Sequence, residues 1–314
     1  MNSTGGLDVR DVAVICGPTA AGKSAIAMAL AVRTGALLIS ADSRQVYRHF
    51  DIGTAKPSAA DQATVAHMGI DLVEPTARFS AAEWTSRTLA WLDDADRHGR
   101  PVIIVGGTGF YLRALEEPLF DAPALDPDER AQLLATLAPL TTDDLRRRCA
   151  AIDPSRAHLG RTQLLRALEI HGLTGRPLSE WMIERARPAA IRGHYLVVDP
   201  GATFRENIAV RVGEMLLAGW EAEIAALIRD VPPDAPAWNA CGYDELRAAQ
   251  LGAVSRAVAI ERTVIATRQY AKRQRTWFRH QLPVDRVTRL DPATHDARSR
   301  ALAWFESATL SEHL

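Results

Sequence analysis

Residues 12–30 read VAVICGPTAAGKSAIAMAL, and the reading of this stretch decides the fold. Val12–Cys16 is a short β-branched apolar run of strand type. From Ser24 to Thr34 the chain reads as a helix through Ile26, Met28 and Leu30, stopped by Gly35. Between them, Gly17, Pro18, Thr19, Ala20, Ala21, Gly22, Lys23 and Ser24 fit G-x-x-x-x-G-K-[ST] at every fixed position. A strand before and a helix after are the context this phosphate-binding loop requires. Its glycines let successive N–H groups converge on phosphate oxygens, and the helix N-terminus adds partial positive charge. Lys23 neutralises phosphate, and the Ser24 hydroxyl is a ligand for Mg²⁺.

Working outward, Ala36–Ser40 is a second strand-length apolar run. Ser80 caps a helix carrying Trp84, Thr88, Trp91, Leu92 and Ala95 on one face and ending at Gly99. Pro101–Val105 is a further buried-type strand, followed by Gly106-Gly107-Thr108. This alternation predicts an α/β fold: a P-loop parallel sheet core flanked by helices, with its functional loops at the strand carboxyl ends. After Pro118, Pro123 and Pro127 the pattern turns helical, with helices expected at Pro127–Leu137, Thr142–Ile152, Thr162–His171 and Leu178–Arg185. An all-helical domain is therefore expected to be inserted at 118–192, between a first core part at 1–117 and core completion at 193–314. His194–Asp199 reads as a strand rejoining the sheet, and the rest as helical, ending in a long segment from Ser255 to about His280.

Composition narrows the class. The 314 residues are 47% hydrophobic and 24% charged, ordinary values for a globular chain with a sizeable core. No run of about 18 apolar residues is present, and Met1–Asp11 lacks the apolar centre of a signal peptide, so a cytoplasmic protein without a membrane span is expected. Cys16, Cys149 and Cys241 lie far apart, which argues against zinc and disulfides.

A net charge of −1 argues, as an average, against nucleic acid. The average conceals clustering. Arg146–Arg192 holds ten arginines against four acids, and Arg256–Arg279 seven basic residues against Glu261; each segment is +6, leaving −13 for the remainder. Arg268, Lys272, Arg275 and Arg279 are spaced 4, 3 and 4, one face of a helix suited to a phosphate backbone. Only three of the 37 basic residues are lysines, Lys23, Lys56 and Lys272, so a surviving lysine can mark a place where a compact ammonium does what a guanidinium cannot.

The loop alone does not name its polyphosphate; by itself it reads as nucleotide binding, ATP included. A P-loop ATPase normally carries an aspartate at the end of a second apolar strand. Here Val102–Val105 runs into Gly106-Gly107-Thr108, while Asp42 ends the second strand, as a turn cap or as a base.

Four segments together, GPTAAGKS (17–24), SADSRQVYRHFDIGTAKP (40–57), VGGTGFYLRAL (105–115) and ATRQYAKRQRTWFR (266–279), closely resemble the tRNA dimethylallyltransferase (isopentenyl-tRNA transferase) family. RALEIHGLTGRPLSEW (166–181) and RVGEMLLAGWEAEI (211–224) are also similar, so the resemblance spans roughly Asp11 to Arg279. It implies transfer of a dimethylallyl group from dimethylallyl diphosphate to N6 of the adenosine at position 37, beside the tRNA anticodon, with the P-loop holding the prenyl diphosphate in place of ATP. It further implies Asp42 as general base, with Lys23, Thr108 and Arg211 assisting departure of diphosphate. Thr19 is expected to touch phosphate. The tRNA partner would meet Asp42, Ser43, Arg44, Gln45 and Thr108 around the extruded base, Gln163 and Arg166 in the helical insert, Arg130, and Arg268, Gln269, Lys272, Arg273 and Arg275 on the last long helix. A monomer is expected. Lys56 matches a motif position without a role, a structural ion pair being the other reading.

Two departures touch the tRNA surface. Leu164 stands where relatives usually carry Arg, with Arg161 the nearest residue to compensate, and Asp244 follows Gly242-Tyr243 where a basic residue is usual. Prenylation of free adenine nucleotides would use the same loop and Asp42, but needs neither the helical insert nor the basic helix. A P-loop kinase or nucleotide-driven binding module is the remaining alternative, weakened by the missing strand-end aspartate.

Overall fold

The computed structural model describes residues 9–117, 123, 125–184, 189 and 191–310. Six strands, β1 (Arg10–Cys16), β2 (Leu37–Ala41), β3 (His67–Met68), β4 (Val102–Gly106), β5 (Ile191–Val198) and β6 (Val287–Leu290), form one sheet in the order β3-β2-β4-β1-β5-β6. Every pairing is parallel, so the carboxyl ends of all six strands lie on one edge. The helices are α1 (Lys23–Thr34), α2 (Ala59–Thr64), α3 (Ala81–Arg97), α4 (Gly109–Glu116), α5 (Pro127–Leu137), α6 (Thr142–Ile152), α7 (Arg161–Thr174), α8 (Leu178–Glu184), α9 (Phe204–Leu217), α10 (Trp220–Asp230), α11 (Tyr243–Gln250), α12 (Arg256–His280) and α13 (Ala297–Leu310).

The chain divides into two compact units, 1–116 with 190–314, and 117–189. The second boundary lies a few residues before the 192/193 expected from sequence, because β5 already pairs with β1 from Ile191 onward. The third segment is also not purely helical beyond β5. Its Val287–Leu290 adds the edge strand β6, too short for alternation to reveal it.

Buried apolar strands with both faces covered are what a parallel sheet demands. Val12–Cys16 and all of β2 are buried. Ala27, Leu30 and Ala31 of α1 share one core cluster with Trp304 and Phe305 of α13. Trp84 of α3 stacks on Tyr111 of α4 with ring centroids 4.8 Å apart, and its indole N–H donates to the Ser40 carbonyl at 2.9 Å. Ser80 caps α3 as predicted, in a reciprocal capping box with Glu83.

The inserted unit has its own core of Leu137, Leu145, Cys149, Leu164, Ala167, Leu168, Ile170 and Leu178. Leu164 is fully buried there, which explains an apolar residue at this position. Arg161 does not stand in for a missing arginine. Its guanidinium donates to the carbonyls of Ala138 and Leu140 at 2.7 and 2.5 Å, just beyond the end of α5. Arg130 and Arg166 both pair with Glu169, which is 2% exposed, the latter at 3.0 Å. Gln163 accepts the Gly160 N–H at 3.2 Å and closes the start of α7. All three expected tRNA residues of this unit therefore also hold its own helices.

A further cluster packs Val46, Tyr47 and Phe50 against Trp220, Ile224, Trp238 and Tyr243. It fixes the loop from 50 to 57. Glu223 accepts the N–H groups of Asp51 and Ile52 at 3.1 and 2.8 Å, and the Tyr243 hydroxyl at 2.5 Å. Lys56 completes the loop. Its ammonium, with the side chain 3% exposed, donates to Asp51 (2.5 Å), Asp71 (2.6 Å) and the Tyr47 carbonyl (2.6 Å). Three acceptors around three ammonium protons is a geometry a planar guanidinium cannot match. The structural ion pair is therefore formed.

Removing the ammonium leaves two half-exposed carboxylates and the Tyr47 carbonyl without their shared donor. Lys56→Met is expected to cost about 1–3 kcal/mol of stability, and Lys56→Arg should not restore it. Urea unfolding measures this; a loss below about 1 kcal/mol for Lys56→Met would contradict the assignment.

Candidate active site

The carboxyl edge of the sheet opens into a cavity of about 900 Å³ lined by Lys23 and Ser24 after β1, Asp42 to Gln45 after β2, Gly106 to Thr108 at the end of β4, and Arg211, Gln269, Tyr270, Arg273 and Gln274 from α9 and α12. Parallel strands place their following loops together, so Lys23, Asp42 and Thr108 share one wall, and α9 and α12 add theirs from far along the chain.

The phosphate loop is shaped for an anion. Gly17 has φ 144°, and a Cβ there would sit 2.1 Å from the Val198 carbonyl oxygen, so only glycine fits. Gly22, at φ 83°, gives α1 no side-chain cap, and the first turn carries no acidic residue. The N–H groups at this terminus are thus left to a ligand. By contrast, α2, α3 and α6 each carry a capping box.

Lys23 lies within this loop and donates to the Pro18 carbonyl at 2.7 Å. Burial and the repulsion of Arg211 lower its pKa from 10.5 to about 8, with Asp42 acting in the opposite sense. The Arg211 pKa is likewise lowered, chiefly by burial, and Asp42 and Glu214 oppose the shift. Arg211 is therefore not a solvated face residue of α9. Lys23 and Arg211 both line the cavity, and Arg211 lowers the Lys23 pKa, so two cations stand together beside the phosphate loop where an anion would sit.

Asp42 accepts the Arg44 N–H at 2.8 Å, so it does cap its turn, and it also lines the cavity. Thr108 does not spend its hydroxyl on α4. The oxygen accepts the Ser43 N–H at 3.0 Å and meets the Tyr270 hydroxyl, while its own N–H donates to Ala41 at 3.1 Å. Burial and the Asp42 charge push the Tyr270 phenol upward, so it stays protonated. Gln45 lines the cavity, yet its amide is committed to the chain. Oε1 accepts the Ser40 hydroxyl at 2.8 Å, and Nε2 donates to Thr54 and Ala55 carbonyls at 3.1 and 3.0 Å. Thr19 lines the cavity too, but its N–H is taken by Gln274 at 2.8 Å.

The basic helix α12 splits its charges. Arg268, Gln269, Lys272, Arg273 and Arg279 are exposed. Arg275 is not part of an open stripe: it pairs with Asp199 after β5 at 2.9 Å and lies over the Phe204 ring. Partners of several other basic residues also lie outside the counted segments, as with Arg146–Asp143, Arg147–Asp144 and Arg256–Glu221. Among the described residues Lys272, Arg273 and Arg279 form no ion pair. Asp244 lies in the first turn of α11 and pairs with Arg247 at 2.9 Å. An acidic residue there suits the helix N-terminus.

Sequence reading passed over Tyr270 and Gln274. The signal for Gln274 was a polar residue on the buried side of α12, which carries Thr263, Ala271, Gln274 and Phe278. Among the described residues no three His, Cys, Asp or Glu side chains cluster to hold a metal, so a cation here would rest on Ser24 and on ligand oxygens.

Residues 45–281 match the family model described as IPP transferase. A tRNA dimethylallyltransferase of Halorhodospira halophila is 41% identical over 303 residues, covering 93% of this chain and 98% of that one. Another, from Myxococcus xanthus, is 40% identical over 283 residues, with 88% and 91% covered. Among solved structures, the full-length tRNA isopentenylpyrophosphate transferase of Bacillus halodurans superposes with a TM-score of 0.68 at 30% identity, covering 97% of this chain and 100% of that one. A eukaryotic dimethylallyltransferase solved acting on tRNA reaches 0.81 at 25% identity, covering 97% and 80%. A phosphate loop facing a strand-end aspartate across one cavity, in a chain matched almost end to end, identifies the protein as a member of the tRNA dimethylallyltransferase (IPP transferase) family.

Proposed function

We propose that this protein transfers the dimethylallyl group of dimethylallyl diphosphate to N6 of adenosine 37 in tRNA, releasing diphosphate. The observation that carries the reading is the meeting of Lys23 and Arg211 with Asp42 and Thr108 in one cavity. The N6 lone pair attacks C1 of the prenyl group as the C1–O bond breaks. The bonding pair leaves with diphosphate, and the N6 proton passes to the Asp42 carboxylate. An exocyclic amine is a poor nucleophile, so a positioned base is required, worth about 10²–10⁴ in rate. Lys23, Arg211 and the α1 terminus neutralise the charge that grows on the leaving group. Mg²⁺ on Ser24 would add to that neutralisation.

The target base is stacked in an anticodon loop and must be extruded, at a cost of a few kcal/mol. Exposed Arg268, Lys272 and Arg273 on α12 supply electrostatic attraction to the RNA backbone. The substrate supports action in the cytoplasm. No helix among the described residues is long and apolar enough to cross a membrane.

Incubation with Mg²⁺, labelled dimethylallyl diphosphate and an anticodon stem-loop with consecutive adenosines should label the RNA. Label on AMP in preference to the stem-loop, or no transfer across a range of salt, would overturn the reading. Asp42→Ala should lower transfer by about 10²–10⁴ while donor binding persists; undiminished transfer would remove Asp42 as the base.

The Lys23 ammonium titrates near pH 8 in the ligand-free protein. A diphosphate needs the charged form, so the direction is fixed: affinity is full below pH 8 and falls as pH rises above it. Inorganic pyrophosphate binding should weaken by up to about tenfold per pH unit above 8. Lys23→Arg should flatten that profile, because a guanidinium stays charged. A flat wild-type profile from pH 7 to 9.5 would contradict the role.

A further inference from the structure

Gln274 joins two loops that sequence places far apart. Its Oε1 accepts the Thr19 N–H at 2.8 Å, and its Nε2 donates to the Gly107 carbonyl at 2.8 Å. The residue is 7% exposed; its bond to Gly107 is buried and that to Thr19 partly so. A Cβ at position 107 would lie 2.4 Å from Nε2, so glycine there is what lets the amide come this close. Thr19 belongs to the phosphate loop. Gly107 immediately precedes Thr108, whose hydroxyl holds the loop carrying Asp42 and Ser43.

We propose that Gln274 is the positioning residue that sets the register between the donor loop and the acceptor loop. The proposal rests on the assignment of prenyl diphosphate to the phosphate loop and of the acceptor amine to Asp42. Transfer in a single step requires C1 of the donor, the attacking nitrogen and the base to be aligned, and a shift of about 1 Å costs about 10²-fold in rate. One side-chain amide spans the two loops that carry these groups, and it does so from α12, the helix whose exposed face bears Lys272 and Arg273. Gln274 lines the cavity, but both ends of its amide are committed to the chain, so its loss should change alignment more than binding.

Two substitutions separate the two bonds. Gln274→Met keeps the volume and loses both. Gln274→Glu keeps an acceptor for Thr19 and turns a carboxylate oxygen toward the Gly107 carbonyl, which repels it. Both variants are expected to lower kcat by about 10²-fold; in Gln274→Met the KM for donor and for stem-loop should change by less than about threefold, while the carboxylate of Gln274→Glu beside the phosphate loop should raise the donor KM as well. Amide exchange at Thr19 should quicken in Gln274→Met and stay slow in Gln274→Glu. Wild-type kcat in either folded variant, or a loss confined to KM, would overturn the proposal. So would a lowered melting temperature with unchanged kcat per folded molecule, the mark of a purely structural role. Wild-type protein that fails to label the stem-loop would count against the proposed function itself, whereas Thr19 exchange reports on the Gln274 bond without turnover.

Discussion

Two positive charges, Lys23 and Arg211, are held in one cavity, where burial lowers the pKa of each and the Arg211 charge lowers that of Lys23 further. Left alone, that arrangement costs folding free energy, because the folded pKa of Lys23 lies below its unfolded value. The sign is definite: the penalty applies while the lysine is charged, below about pH 8, and fades as the pH rises toward the unfolded value. A bound polyanion removes it. The parallel sheet, the uncapped start of α1 and the glycine at position 17 all serve to hold this demand for negative charge in place.

The side proposed for the acceptor lies on the same edge and is held by different means. The Ser43 N–H donates to the Thr108 hydroxyl and so joins the β2 and β4 loops, Asp42 caps its own turn through the Arg44 N–H, and Tyr270 meets Thr108 from α12. Below them, the loop at 50–57 is fastened by Glu223, Tyr243 and the buried ammonium of Lys56. In the proposed reaction such rigidity would keep the Asp42 carboxylate oriented while tRNA docks.

The phosphate loop, the strands around it and the boundaries of α3, α5 and α6 were legible because local chemistry specifies them: glycine spacing, caps and apolar periodicity. The cavity residues from α9 and α12 were not, except through resemblance, because Arg211 on an amphipathic helix looks the same whether it faces water or a ligand. Charge counting misled where windows cut through ion pairs. Arg146 and Arg147 find Asp143 and Asp144 just outside the segment counted, and Arg275 finds Asp199 across the chain. Of the three lysines, Lys56 proved structural, Lys23 lies in the phosphate loop, and Lys272 remains exposed on α12. Short edge strands and the Gln274 bridge depend on tertiary contacts between distant segments, which no local pattern encodes.

The central claim is that the phosphate loop is adapted to a prenyl diphosphate and not to ATP. Calorimetric titration of the protein with the unreactive thiolo analogue of dimethylallyl diphosphate, in parallel with ATP under the same Mg²⁺ concentration, tests it most directly. The analogue is expected to bind at least tenfold more tightly than ATP, and ATP should not be turned over. Tighter binding of ATP, accompanied by its hydrolysis, would contradict the account.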